Sequence, residues 1–253
     1  MKAEVRFGAV CGHAPHAMHK LPAGTSTALD FAPQPAYWAI MAPAVIPIPI
    51  DSLLAALHIV GTAVFAASGA LVAARLRLTL VTFLFFALAT GMGGGTVRDL
   101  LIGAPVFWVH DPRLAIVCCV AGLAVWFTPH RWLSPRAVDW LDAVGLAAYS
   151  VFGTAKAMSY GIDPFIAAVM GILTTCVGGV IRDLLAGQPS ILIRPEIYVT
   201  AAALAAGLYP ILLAGGASEA VAGLVAAVAG FALRAVAMTK GWGLPAYRGG
   251  DSD

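Results

Sequence analysis

The chain has 253 residues, 60% hydrophobic and 11% charged, with a formal net charge of +2 at pH 7. Soluble domains carry roughly 25% charged residues, so this chain lacks the polar coat that a water-facing surface needs, and its mean hydropathy of +0.87 points to a membrane. So small a net charge gives no basis for nucleic-acid binding.

Residues 1–50 stand apart. They contain His13, His16 and His19, several prolines and no long apolar period, and they read as a disordered N-terminal extension rather than a metal site or signal peptide. Met41, shortly before Pro47-Ile48-Pro49-Ile50, is read as the natural start. From Asp51 onward seven apolar runs follow, at about 51–74, 78–102, 113–128, 138–159, 164–186, 196–214 and 217–238. They are continuously apolar rather than alternating, which predicts an all-α integral membrane protein with seven transmembrane helices. Cys11, Cys118, Cys119 and Cys176 have no metal-site spacing and read as small hydrophobes with reduced thiols.

At the end of the second run stands Gly93-Gly94-Gly95-Thr96-Val97-Arg98-Asp99-Leu100-Leu101-Ile102-Gly103-Ala104-Pro105. The fifth run ends on Gly178-Gly179-Val180-Ile181-Arg182-Asp183-Leu184-Leu185-Ala186-Gly187-Gln188-Pro189. The spacing is 84 positions, and eight of the twelve residues from 94 and from 178 are identical. The same offset pairs Gly61 with Gly145, Ala63 with Ala147, Gly69 with Gly153 and Thr90 with Thr174. The chain therefore reads as a three-helix repeat over 51–128, a second over 139–213, a seventh helix at 217–238 and a tail at 239–253. Three spans per repeat put the second copy upside down relative to the first. Loops after the odd-numbered runs and the C-terminus hold Arg75, Arg77, Arg131, Arg136, Arg194, Lys240 and Arg248; the other loops hold Arg113 with Asp111, Asp163 and Glu219. The positive-inside rule then sets the N-terminus outside and the C-terminus in the cytoplasm.

Glycine clusters inside a span either let helices approach closely or break the helix and free its backbone groups. Gly93, Gly94, Gly95, Gly178 and Gly179 are therefore candidate kink positions of the second and fifth helices. Arg98, Asp99, Arg182 and Asp183 are candidate pore-lining or gating charges, with interfacial snorkelling as the other reading. Lys156 joins them; its counterpart at the 84-residue offset is Val72, so it breaks the internal symmetry. His58 and Asp142 align with each other and read as interfacial caps or vestibule residues. Ser68, Thr90, Thr174 and Thr175 are candidate pore hydroxyls, although helix hydroxyls often bond their own carbonyls. Nothing in the chain forms an enzyme or phosphate-loop motif.

Two inverted three-helix repeats plus a seventh helix, each repeat carrying Gly-Gly-x-x-Arg-Asp-Leu-Leu-x-Gly-x-Pro, resemble the prokaryotic branch of the trimeric intracellular cation (TRIC) channels, a group also labelled glycine-transporter domain proteins. The resemblance covers about 51–238. It implies a homotrimer in a prokaryotic inner membrane, among membrane lipids, with one pore per protomer permeable to K+ and other monovalent cations and no cofactor. It also implies that the glycine-kinked second and fifth spans line the pore through Gly93, Gly94, Gly95, Arg98, Asp99, Gly178, Gly179, Arg182 and Asp183. Eukaryotic members carry Lys-Glu-Val in the fourth span; here Lys156-Ala157-Met158 lacks the Glu. The alternatives are a secondary transporter of a small zwitterion such as glycine, and a structural membrane protein whose glycines serve packing alone. The reading of Met41 as the start is checked by the intact mass of the protein expressed from its native gene; a mass that includes residue 1 overturns it.

Overall fold

The computed structural model describes residues 52–128, 134–193 and 196–245. The readings made for residues 1–51 and for the tail beyond 245, including the histidine run and Met41, lie outside the described residues. Among the described residues eight α-helices follow one another: α1 Ser52–Arg75, α2 Leu80–Leu101, α3 Phe107–His110, α4 Arg113–Trp126, α5 Pro135–Ser159, α6 Pro164–Leu185, α7 Val199–Ala214 and α8 Glu219–Lys240. A 3₁₀ turn, Ile191–Ile193, precedes α7. By length and composition α1, α2, α6 and α8 can each cross a membrane. Helix α5 is 25 residues long but carries Arg136, Asp139, Asp142 and Lys156, while α4 and α7 are apolar but shorter. At 14 residues α4 reaches only about 21 Å at 1.5 Å per residue.

Local chemistry sets the helix ends. The side chains of Thr79, Ser134, Asp163 and Ser218 each accept a hydrogen bond from a backbone N–H in the first turn of α2, α5, α6 and α8, satisfying donors that would otherwise lack partners. Pro135 and Pro164 open α5 and α6, where their missing N–H removes nothing. After α2, Gly103 adopts φ +67°, and after α6 Gly187 adopts φ +63°, a left-handed conformation that glycine enters without penalty. Ala104 N–H then donates to Asp99 O (2.8 Å) and Gln188 N–H to Asp183 O (2.9 Å), closing both helices with the same C-terminal motif. The Leu-Leu-x-Gly-x-Pro of each repeat is a helix stop.

Helix α1 packs against α2, α4 and α5; α6 packs against α2, α5 and α7; α8 lies on α5 and α7. The burial pattern inverts that of a soluble protein. Val81, Phe85, Ile116, Phe165, Ile211 and Val228 are exposed, while Arg98, Asp99, Asp142, Arg182, Asp183 and Arg234 are buried. An apolar shell around a polar interior is what a lipid solvent selects.

Of the two readings of the glycine clusters, close approach and a broken helix, the contacts support the first. Both glycine-bearing helices remain α-helical throughout, over Leu80–Leu101 and Pro164–Leu185, so the glycines do not break them. They permit contact instead. A Cβ on Gly94 would overlap the carbonyl oxygen of Thr174, one on Gly93 the side chain of Ile181, and one on Gly178 would come within 2.9 Å of Thr90 O.

Gly94→Ala is therefore expected to destabilise the protein in detergent by about 1–3 kcal/mol, because rigid backbone has to move and helix propensity returns only about 1 kcal/mol. Gly207→Ala, in α7 with nothing within 4 Å of the added methyl, serves as the control and should be neutral or stabilising by about 0.5–1 kcal/mol. Thermal unfolding of the two variants decides between close approach and mere flexibility; equal melting temperatures would reject the contact.

Candidate functional site

Helices α2 and α6 meet through their repeated glycines. Gly94 lies against Thr174, and Gly178, the counterpart of Gly94 at the 84-residue offset, lies against Thr90, the counterpart of Thr174. Advancing from 90 to 94 on one helix is matched by retreating from 178 to 174 on the other, so the two run antiparallel. Their C-terminal ends, with Arg98-Asp99 and Arg182-Asp183, therefore point in opposite directions. Other contacts repeat under the same exchange: Gly61 lies against the Tyr149 ring and Gly145 against the Phe65 ring, with 65 and 149 again 84 apart.

The Asp of each copy holds two things at once. Asp99 Oδ1 accepts from Arg98 Nε (2.9 Å) and Nη2 (2.7 Å), and its Oδ2 accepts from the N–H of Phe107 (3.1 Å). Asp183 Oδ1 accepts from Arg182 Nε (2.9 Å) and pairs with Nη2 (2.8 Å), and its Oδ2 accepts from the N–H of Ile191 (2.9 Å). Phe107 and Ile191 open α3 and the 3₁₀ turn. The glycine stop turns the chain back so that the first N–H of the next element reaches the carboxylate. A carboxylate in the last turn opposes the helix dipole, whereas an arginine there complements it; the adjacent guanidinium and the incoming N–H compensate the Asp.

The side chains of Arg98 and Arg182 are 0% and 3% exposed, which removes the snorkelling reading. Arg182 also donates through Nη1 to Asp142 Oδ1 (2.6 Å) and Ser68 Oγ (3.0 Å). Asp142 is fully buried, so it is an ion-pair partner and not an interfacial cap. Lys156 is likewise not a snorkelling residue: its side chain is 11% exposed and its Nζ lies 2.8 Å from Asp99 Oδ2. His58 stacks on Phe152, ring centroids 4.0 Å apart, and meets Phe107 edge-on at 5.0 Å. The two clusters thus gather Arg98, Asp99, Lys156 and His58 at one end of the crossing, and Arg182, Asp183, Asp142 and Ser68 at the other.

The four candidate hydroxyl residues are all buried. Ser68 joins the Arg182 cluster and also donates to Phe65 O (3.1 Å). Thr174 donates to Met170 O (2.6 Å), the back-bond anticipated for helix hydroxyls. Thr175 lies 3.1 Å from Ser150 Oγ. Thr90 Oγ1 has no hydrogen-bond partner among the described residues. Thr90 and Thr174 line the crossing itself; Ser68 and Thr175 lie on its flanks.

Sequence reasoning missed several members. Tyr149 donates from its hydroxyl to Gly91 O (2.8 Å) and lies 2.6 Å from Thr62 Oγ1, tying α5 and α1 to the glycine stretch of α2. The 84-residue offset to Phe65 could have drawn attention to it; nothing could have shown that its hydroxyl reaches Gly91. Glu196 and Arg234 pair at 2.5 Å, a contact between a connecting loop and α8 that no periodicity encodes. Among the described residues no cluster of three or more His, Cys, Asp or Glu side chains could hold a metal.

The family description "Glycine transporter" matches the chain twice, over residues 55–130 and 139–214. A UPF0126 membrane protein of Vibrio cholerae is 38% identical over 68% of this chain and 73% of its own length. The UPF0126 inner membrane protein YadS of Escherichia coli K12 is 43% identical over 57% of this chain and 72% of its own. Among solved structures, a TRIC trimeric intracellular cation channel orthologue from Rhodobacter sphaeroides superimposes with a TM-score of 0.71 at 36% identity, covering 76% of this chain and all of that one. A second TRIC cation channel gives 0.69 at 28% identity, covering 78% and 98%. The doubled family match falls on the two halves whose glycine contacts and Arg–Asp geometry repeat at the 84-residue offset. The chain is an all-helical, multi-pass membrane protein and belongs to the prokaryotic TRIC family, whose domain description is Glycine transporter.

Proposed function

We propose that this protein is a monovalent cation channel, permeable to K+, that assembles as a homotrimer with one conduction path in each protomer. The observation that carries this reading is the antiparallel crossing of α2 and α6. The two helices touch through Gly94–Thr174 and Gly178–Thr90, and a buried carboxylate cluster stands at either end. In this reading an ion travels along the crossing and meets Asp99 and Asp183 in succession. The close glycine contacts hold it shut, and a bend or separation of α2 and α6 at Gly93–Gly95 and Gly178–Gly179 opens it. Arg98, Arg182 and Lys156 neutralise the carboxylates while the path is closed and act as its gating charges.

In this reading α1, α2, α4, α5, α6, α7 and α8 are seven spans, arranged as two inverted triplets and a final helix. The C-terminus faces the cytoplasm of a prokaryotic cell and the N-terminus the outside. The permeant ion is the only non-protein component the mechanism needs, and the partners are further copies of the chain and membrane lipids. The solved neighbours are named as TRIC channels and not as enzymes, which supports a non-enzymatic role. A second reading, carriage of a small zwitterion such as glycine, is favoured by one specific observation: Arg98 Nη1 is buried without a partner among the described residues and has the chemistry to bind a carboxylate.

Purified protein in a planar bilayer under a KCl gradient should give discrete single-channel currents reversing near the K+ equilibrium potential. Saturable glycine counterflow without such currents would reject the channel in favour of the carrier. Asp142→Asn removes one partner of a buried ion pair, and the variant should lose about 3–5 kcal/mol of stability, read as a lowered melting temperature. Arg98→Ala and Arg182→Ala should each change unitary conductance or open probability while the trimer persists on cross-linking. Wild-type currents from both would return the arginines to a purely structural role.

A further inference from the structure

The two Arg–Asp clusters share a geometry but not a charge. Around Arg182 stand Asp183 and Asp142, one formal positive charge against two negative. Arg75 and Asp139 lie within electrostatic range of this cluster and offset one another. Around Arg98 the 84-residue offset places His58 where the second copy has Asp142, Phe152 where the first has Ser68, and Lys156 where the first has Val72. Arg98 keeps Asp99 but has neither the second carboxylate nor the hydroxyl. Its guanidinium carbon lies 5.2 Å from the Phe152 ring centroid instead, and its Nη1 has no partner among the described residues. Lys156 adds a second cation, 2.8 Å from the same Asp99. With His58 counted as neutral, this cluster has two formal positive charges against one negative.

Because α2 and α6 are antiparallel, the clusters are separated along the crossing. Arg182 lies level with residue 86 of α2, twelve residues from Arg98, which is about 18 Å of helix at 1.5 Å per residue. That distance exceeds the roughly 8 Å screening length at physiological ionic strength; the further charges, Arg75, Arg77, Arg136 and Asp139 at the Arg182 end and Asp111, Arg113 and Asp163 at the Arg98 end, are exposed or half-buried and screened by salt, so the buried clusters set the field within the path.

We infer that the residue differences at 58/142 and 72/156 make the path electrically one-sided: the Asp142–Asp183 end collects cations and the Arg98–Lys156 end repels them, so that K+ current rectifies. The inference rests on the channel reading. A negative mouth raises the local cation concentration and a positive mouth lowers it, so the larger current flows when K+ enters from the Arg182 end. That end is identifiable in an experiment. A cavity lined by Arg136, Asp139, Glu196, Arg234 and Thr239 joins the C-terminal end of α8 to the first turns of α5, where Asp142 also stands, so the C-terminal end of α8 and Arg182 share one side.

The test is single-channel recording in symmetric 0.15 M KCl, with sidedness assigned by one-sided streptavidin added to a C-terminally biotinylated chain. The wild type should pass at least about two-fold more current from the Arg182 side than from the Arg98 side at equal and opposite voltages, and the ratio should approach one at 1 M KCl, where screening shortens to roughly 3 Å. His58→Asp supplies the missing carboxylate, takes the Arg98 end from one excess cation to balance and should move the current ratio toward one without reaching it; Lys156→Val, which installs the residue found at the paired position, should do the same should the first variant not fold. The exchange His58→Asp with Asp142→His leaves each end with as many cations as carboxylates and should bring the current ratio to one. Equal wild-type currents in both directions, or rectification unchanged in the two single variants, overturns the inference while leaving the channel in place. Absence of any discrete K+ current overturns both.

Discussion

A guanidinium buried in an apolar shell has to find its counter-charge inside the protein, because neither lipid nor water supplies one. Much of this fold serves that constraint. Arg98 and Arg182 reside in the last turns of two helices, where the dipole favours a cation. Each is followed by the aspartate that pairs with it. That aspartate in turn draws the next element back toward the helix end through the N–H of Phe107 or Ile191. The glycine stop, the re-entrant turn and the buried pair form one linked local structure, built twice.

The second constraint is distance. Antiparallel helices bring their opposed ends to a common interior only if nothing holds them apart at the crossing. The absence of a side chain at Gly94 and Gly178 lets backbone lie on backbone, helix against helix. Tyr149 secures the same region from α5 by bonding Gly91 O, and α1 enters through Thr62. A crossing held by van der Waals contact between small residues, with few polar bonds across it, is the usual means of helix association in lipid. It can also separate without leaving many polar groups unsatisfied.

Internal symmetry explains the frame, and its violation sets the electrostatics. The contacts that repeat at the 84-residue offset are the glycine contacts, the helix stops and the Arg–Asp pairs with the N–H each aspartate binds. The contacts that do not repeat involve side chains that differ between the copies: Asp142 against His58, Ser68 against Phe152, Lys156 against Val72. One cluster is left with an excess carboxylate and the other with an excess cation, within a frame that is otherwise the same.

The membrane class, the helix positions and the twofold repeat were legible in the chain, because hydropathy and periodicity act over short stretches. The seven longer helices begin and end within three residues of the apolar runs. The stop after Arg-Asp was legible too, as a glycine and a proline at fixed offsets. Three-dimensional packing decided the rest. Whether Gly93–Gly95 would break a helix or admit a neighbour depends on what lies opposite, and that is the carbonyl of Thr174, eighty residues away. Whether Lys156 snorkels or pairs depends on α5 passing Asp99, and whether Asp142 caps a helix or binds Arg182 depends on the same packing. Local sequence sets which groups a helix carries and where it stops. Only the tertiary structure decides which buried charge meets which, because that pairing is set by distances between segments far apart in the chain.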